Sequence, residues 1–147
     1  MIRFLQSMLL WLDLRLVRGF GFSLVSRMVC GQAGVPPVRT FVLTTTGRRS
    51  RQPQPIPIFY FRHGPAYVVI GSKGGAPEHP AWFLNLQADP NARIEVDGRE
   101  LAVRARIAEG AERAALWDAA AREYPPYIEY QRNAGARTIA VVVLDPA

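Results

Sequence analysis

Apolar residues follow two rhythms along this chain. Up to Met28 they recur at roughly helical spacing, through Ile2, Leu5, Met8, Leu9, Leu12, Leu16, Phe20 and Leu24, which predicts one or two helices. From Arg39 onward they come in short runs broken by glycine and proline, which predicts strands. Gly31, Gly34, Pro36 and Pro37 mark the change, so residues 1–30 read as an N-terminal helical extension and 31–147 as the body of the protein.

Within the body, Arg39–Thr45, Pro55–Arg62 and Ala66–Gly71 read as three strands of a β-meander, joined by the turns Thr46-Gly47-Arg48 and His63-Gly64-Pro65. Pro53, Pro55 and Pro57 lack the amide hydrogen that a ladder needs, so the start of the second strand is expected to be a sheet edge or an irregular approach. Pro80–Ala88 carries helical spacing through Trp82, Leu84 and Leu86 and stops before Asp89-Pro90. Arg93–Val96 and Leu101–Ile107 alternate about Asp97-Gly98, a favoured two-residue hairpin turn. Ala111–Arg122 reads as a helix ended by Pro125-Pro126, and Ile139–Leu144 as a last apolar strand. About six mostly antiparallel strands with helices between them predict a small β-barrel of the α+β class. No Gly-x-Gly-x-x-Gly or P-loop motif is present, which argues against a nucleotide-binding βαβ sheet.

Composition narrows the picture. A chain of 147 residues, 49% of them hydrophobic, can bury one substantial core. The single cysteine, Cys30, excludes a disulfide framework and a cysteine metal site; it reads as a small buried apolar residue and fits a reducing cytoplasm. Asp13 and Arg15 interrupt the N-terminal apolar run well short of the roughly 18 residues that span a bilayer, and no cleavage site follows. That segment therefore either packs on the body or touches a membrane surface from the cytoplasmic side.

The formal net charge of +6 rests on arginine, because Lys73 is the only lysine. Arginine suits planar, bidentate contact with phosphate or carboxylate. An anionic ligand, an acidic membrane and nucleic acid all fit that bias, but no nucleic-acid-binding motif accompanies it.

Few groups are available for acid–base work. His63 and His79 have no partner at metal-binding spacing, no Gly-x-Ser-x-Gly elbow occurs, and the carboxylates show no evident pairing. This poverty favours chemistry carried by a cofactor. Three segments could serve it. Ser72-Lys73-Gly74-Gly75 follows an apolar run and precedes the helix at Pro80 and Trp82, the setting of an anion cradle. Thr46-Gly47-Arg48-Arg49-Ser50-Arg51 gathers hydroxyl and guanidinium groups at a strand end, either as an anion site or as a plain basic turn. Tyr124, Tyr127 and Tyr130 stand three apart, so a helix begun by the prolines would turn all three to one face, where they could stack on a flat ligand or pack a core.

Taken in order, Leu43–Ser50, Ser72–Gly75 with His79–Leu86, Tyr124–Gln131 and Ile139–Pro146 resemble the deazaflavin-dependent nitroreductase and quinone reductase family, the actinobacterial oxidoreductases that use cofactor F420. The resemblance covers about Arg39 to Pro146 and implies a split β-barrel of the flavin-reductase, FMN-binding type. It implies that reduced F420, with FMN as second choice, gives hydride to a quinone or nitro acceptor. It further implies that Thr46, Gly47, Arg48, Arg49, Arg51, Lys73, Gly74 and Gly75 hold the phosphate and glutamate tail. Pro80 and Trp82 would line the ring pocket, and Ser72, Tyr124, Tyr127 and Tyr130 would face the acceptor, with Tyr130 or Tyr124 stacking or donating a proton. Where the family carries Lys, Ser and Gly and then an Arg after its Gly-Arg start, this chain has Arg49, Ser50, Arg51 and Gln54; one charge is lost at Gln54, which shifts anion holding toward Lys73. The alternative is a non-enzymatic barrel binding a lipid, a fatty acid or another flavin-like ligand.

Overall fold

The computed structural model describes residues 1–147. Two helices open the chain, α1 (Ile2–Phe20) and α2 (Leu24–Ala33), separated at Gly21, whose φ of 69° ends α1 in the left-handed region. Seven strands follow: β1 (Thr40–Thr46), β2 (Pro53–Phe59), β3 (Phe61–His63), β4 (Ala66–Ile70), β5 (Asn91–Val96), β6 (Arg99–Ile107) and β7 (Val141–Pro146). Helix α3 (Ala81–Ala88) lies between β4 and β5, while α4 (Gly110–Glu123) and α5 (Pro126–Asn133) lie between β6 and β7. No helix is long and apolar enough to cross a membrane.

All seven strands form one curled sheet in the order β2-β1-β5-β6-β7-β4-β3, with every neighbouring pair antiparallel. The expected meander is not formed. The second predicted strand is two: β2 pairs with β1 at one edge, and β3, only Tyr60 further on, pairs with β4 at the other. The cause is Tyr60 itself, whose buried ring stacks on Phe41 at 4.5 Å and meets Tyr67 at 5.7 Å. Drawing that ring inward bends the strand around the end of the barrel and brings the two sheet edges together in one continuous segment.

Other expectations hold. β2 is an edge strand, as Pro53, Pro55 and Pro57 require. The β5–β6 turn places Asp97 and Gly98 at φ 52° and 71°, the paired positive values of the two-residue hairpin turn.

The continuous apolar runs of β4 and β7 are buried on both faces, and alternate residues serve two cores. Tyr67, Val69, Val142 and Leu144 fill the barrel with Phe41, Leu43, Trp82, Phe83 and Ile94. Val68, Ile70, Val141 and Val143 instead face Leu116, Ala120, Tyr124 and Tyr127 from the α4–α5 layer. α1 rests on the outside of β1 through Leu14 and Val17, packed on Val42. Its corner with α2 is tied by the buried Asp13 carboxylate, which accepts from Ser23 Oγ at 2.6 Å and the Leu24 amide at 2.7 Å.

Candidate functional site

The loop after β4 is built on left-handed backbone. Lys73, Gly74 and Gly75 have φ of 46°, 63° and 85°, and Gly75 is buried. A Cβ on Gly75 would lie 2.8 Å from the Tyr130 carbonyl oxygen and 2.9 Å from its Cα. The loop therefore lies directly against α5.

Arg137, just after α5, latches the same loop. Its Nη1 donates to the Gly71 carbonyl at 2.9 Å, Nη2 to Ser72 at 2.8 Å and Ala76 at 2.7 Å, and Nε to Ala76 at 2.9 Å. Carbonyls that would repel an anion are thus committed to a cation. Lys73 remains half exposed, with only a loose 3.9 Å contact to Glu78, so its ammonium is available to a ligand.

The arginine turn is organised from α3. Asn85, fully buried, accepts from the Arg48 amide and Nη1 at 3.1 and 3.3 Å and donates to Thr45 Oγ1 at 3.0 Å and Gln54 Oε1 at 2.9 Å. Gln54, where the family pattern has arginine, is therefore engaged in holding the turn. Arg51 takes a φ of 60° at the expected glycine position, and a Cβ on Gly47 would strike Ser50 Oγ and, at 2.7 Å, Gln54 Nε2. Replacing Asn85 with Ala is expected to cost about 2 kcal/mol by orphaning the buried Thr45 hydroxyl and releasing the Arg48 amide, read as a lowered thermal midpoint.

The tyrosines do not share one helix face as expected. Tyr124 is the non-helical residue that ends α4, because Pro125-Pro126 restarts the helix after it, and only Tyr127 and Tyr130 lie on α5. The rings still converge: Tyr124 lies 4.9 Å from Tyr127 and 6.1 Å from Tyr130, and its hydroxyl is 3.0 Å from that of Tyr130. Tyr124 and Tyr127 are buried while Tyr130 is half-buried, so one cluster serves both as core and as pocket wall.

A cavity of about 310 Å³ joins this wall to the loop, bringing Ser72 and Gly74 against Tyr124, Tyr127 and Tyr130. Residues Pro57 to Phe59 of β2 and Ser26 and Val29 of α2 close it. The arginine turn and Trp82 do not line it; Trp82 is only 8% exposed and packs with the barrel core, and Pro80 caps α3. A larger cavity of about 500 Å³ between α3 and β6 contains none of the predicted site residues. Arg137, Asn85 and the α2 residues carry no local sequence signal, since each acts through partners distant in the chain.

Burial, together with the Tyr130 hydroxyl, holds the Tyr124 phenol above its ordinary value of 10.0, and burial does the same to Tyr127. Burial, followed by the charge of Arg137, pushes His79 below 6.5. Its buried Nδ1 has no hydrogen-bond partner. Around neutral pH the tyrosines are therefore hydroxyl donors and His79 is neutral. The folded chain keeps the tyrosine protons more tightly than the unfolded chain does, so that stabilisation is complete below 10.0 and lost as pH rises beyond it. His79 has the opposite sign, its contribution fading as pH falls below 6.5. Thermal midpoints should decline from about pH 10 upward, and Tyr124→Phe should flatten that decline.

Residues 24–146 match the family model described as F420H(2)-dependent quinone reductase. An F420H(2)-dependent quinone reductase of Mycobacterium tuberculosis is 36% identical over 114 residues, which cover 76% of this chain and 74% of that one. The solved structure of an F420-H2 dependent reductase, FDR-A, superposes with a TM-score of 0.66 at 34% identity, covering 72% of this chain and 93% of that one. A haem-binding protein of Mycobacterium smegmatis shares the fold at 22% identity and a TM-score of 0.55, covering 73% of this chain and 46% of that one.

Proposed function

The chain belongs to the F420H(2)-dependent quinone reductase family and is an F420-dependent oxidoreductase, and on that premise we propose that it reduces a quinone held against the three tyrosines. The observation that carries this reading is the single cavity in which Ser72 and Gly74 meet Tyr124, Tyr127 and Tyr130. The residues present suit the cofactor: a loop whose Gly75 lies too close to α5 for any side chain, backed by a guanidinium, and a separate turn rich in arginine.

When bound, reduced deazaflavin would supply a hydride; Lys73, Gly74 and Gly75 would hold its phosphate, and Arg48, Arg49 and Arg51 its acidic tail. Ser72 would donate a hydrogen bond near the ring, while Trp82 packs in the barrel core outside this cavity. Tyr130, half-buried and so within reach of solvent protons, would donate the proton that a reduced carbonyl oxygen needs, and the Tyr124 hydroxyl 3.0 Å away would hold it in place. Burial keeps the Tyr124 hydroxyl protonated through the neutral range, and the loop and the tyrosine wall would hold donor and acceptor against one another.

Titration with F420, FMN and FAD under identical conditions tests the reading. F420 should quench protein fluorescence at micromolar concentration and the flavins should not. Absence of F420 binding would sink it, and Lys73→Ala should weaken F420 binding about tenfold, equivalent to roughly 1.4 kcal/mol. Turnover of a quinone against a nitroaromatic then ranks the two acceptor classes.

A quinone acceptor also gives the N-terminus a purpose. Ile2, Phe4, Leu5, Met8, Leu9 and Trp11 are exposed on α1, and Asp13, the only acid in the first thirty residues, is buried. An apolar and cationic surface of this kind suits peripheral contact with an anionic membrane from the cytoplasm. The protein should pellet with anionic vesicles and not with neutral ones; equal recovery in both supernatants would count against the contact.

A further inference from the structure

We infer that α2 is the specificity wall of the acceptor pocket, with Val29 and Ser26 selecting acceptors that carry an apolar tail; this rests on the quinone reading above. Ser26 and Val29 stand one helical turn apart and therefore share a face. Both line the cavity whose other wall is the tyrosine cluster, and both are half-buried.

The wall is built rather than draped. Asp13 fixes the start of α2 through Ser23 and the Leu24 amide, and Ser23 Oγ in turn caps the helix by accepting from the Ser26 amide at 2.9 Å. Thr40 Oγ1 donates to Ser26 Oγ at 3.3 Å, joining α2 to β1. At the other end Cys30, 1% exposed, is anchored in the same core cluster as Tyr124 and Tyr127. The face of α2 toward the cavity is thereby held at a set distance from the tyrosines.

What this wall selects follows from its chemistry. Val29 offers only methyl groups, and Val25, one turn earlier, is 49% exposed, as is Met28 at 59%. A side chain leaving a ring that is stacked on the tyrosines would pass Val29 and run onto Val25 and Met28 while remaining in apolar contact. Ser26 supplies the one hydroxyl on this wall, within the same cavity as the ring.

The test uses the full chain and two variants, Val29→Trp, which fills the passage, and Val29→Ala, which widens it. Two naphthoquinones serve as probes, one with an isoprenoid side chain and one without. Their binding to cofactor-free protein is followed by quenching of intrinsic fluorescence, and their KM and kcat by F420-linked turnover. Val29→Trp should weaken the tailed quinone at least tenfold in both binding and KM and change the tailless one less than threefold. Val29→Ala should narrow the preference for the tailed quinone. Equal shifts for both quinones, or no shift in either variant, would overturn the assignment. Failure of the parent protein to bind F420 while these quinone preferences persist would strike the oxidoreductase reading instead.

Discussion

Arg137→Ala should lower stability by about 3 kcal/mol and weaken F420 binding more than tenfold. Four hydrogen bonds from a charged donor end on the carbonyls of Gly71, Ser72 and Ala76. Each such bond is worth roughly 1.5–3 kcal/mol when made, and the set is not additive because one side chain makes them all. Alanine would return three carbonyls to the loop as unpaired dipoles, that of Ser72 directly beside Lys73, where it opposes an anion. Arg137→Lys should recover little, since an ammonium presents one point charge where the guanidinium presents a planar fork. Removing the charge also lifts one of the two influences that hold His79 below its ordinary value, so His79 should titrate higher in the variant. Thermal melts, F420 titration and the His79 ring signals report these effects separately. Parent-like F420 affinity in Arg137→Ala would show that the latch is only structural.

The parts of this molecule that were legible in the sequence are those whose cause is local. Proline lacks an amide hydrogen wherever it sits, so Pro53, Pro55 and Pro57 announced an edge without knowledge of the partner strand. Asp97-Gly98 fixed its own turn, whereas the left-handed backbone of Lys73-Gly74-Gly75 came to light only in the structure. The parts that stayed hidden depend on contacts between distant residues. Tyr60 looks like one more aromatic in a strand, and only its stacking on Phe41 and Tyr67 reveals that the strand bends there. Asn85 resembles any polar helix residue until its contacts with Thr45, Arg48 and Gln54 are seen. Likewise Arg137 lies 61 to 66 positions from the carbonyls it holds. The N-terminal segment illustrates the same limit: its spacing foretold helices, but nothing in it foretold that Ser26 and Val29 would face the tyrosines.

Gly75→Ala is expected to be the most damaging single-atom addition in the loop after β4, and its neighbour supplies the control. At Gly74, φ is 63° and nothing lies within 4 Å of a new Cβ, whereas at Gly75, φ is 85° and the new atom would sit 2.8 and 2.9 Å from the Tyr130 backbone. Gly74→Ala should therefore cost only the left-handed penalty of about 1 kcal/mol. Gly75→Ala carries that penalty and must also push the loop and α5 apart, because the obstructing atoms are backbone and cannot rotate away. Overpacking of this kind adds about 1–3 kcal/mol. The displacement acts on both sides of the site at once: Lys73 moves with the loop, and Tyr130 moves with α5, stretching its 3.0 Å contact with the Tyr124 hydroxyl. Affinity for F420 and kcat with a quinone should fall together in Gly75→Ala by at least tenfold each, while Gly74→Ala should keep kcat within about threefold of the parent. A Gly75→Ala enzyme that loses F420 affinity yet keeps kcat at saturating cofactor would show that loop and tyrosine wall are mechanically independent, contrary to the contact that joins them here.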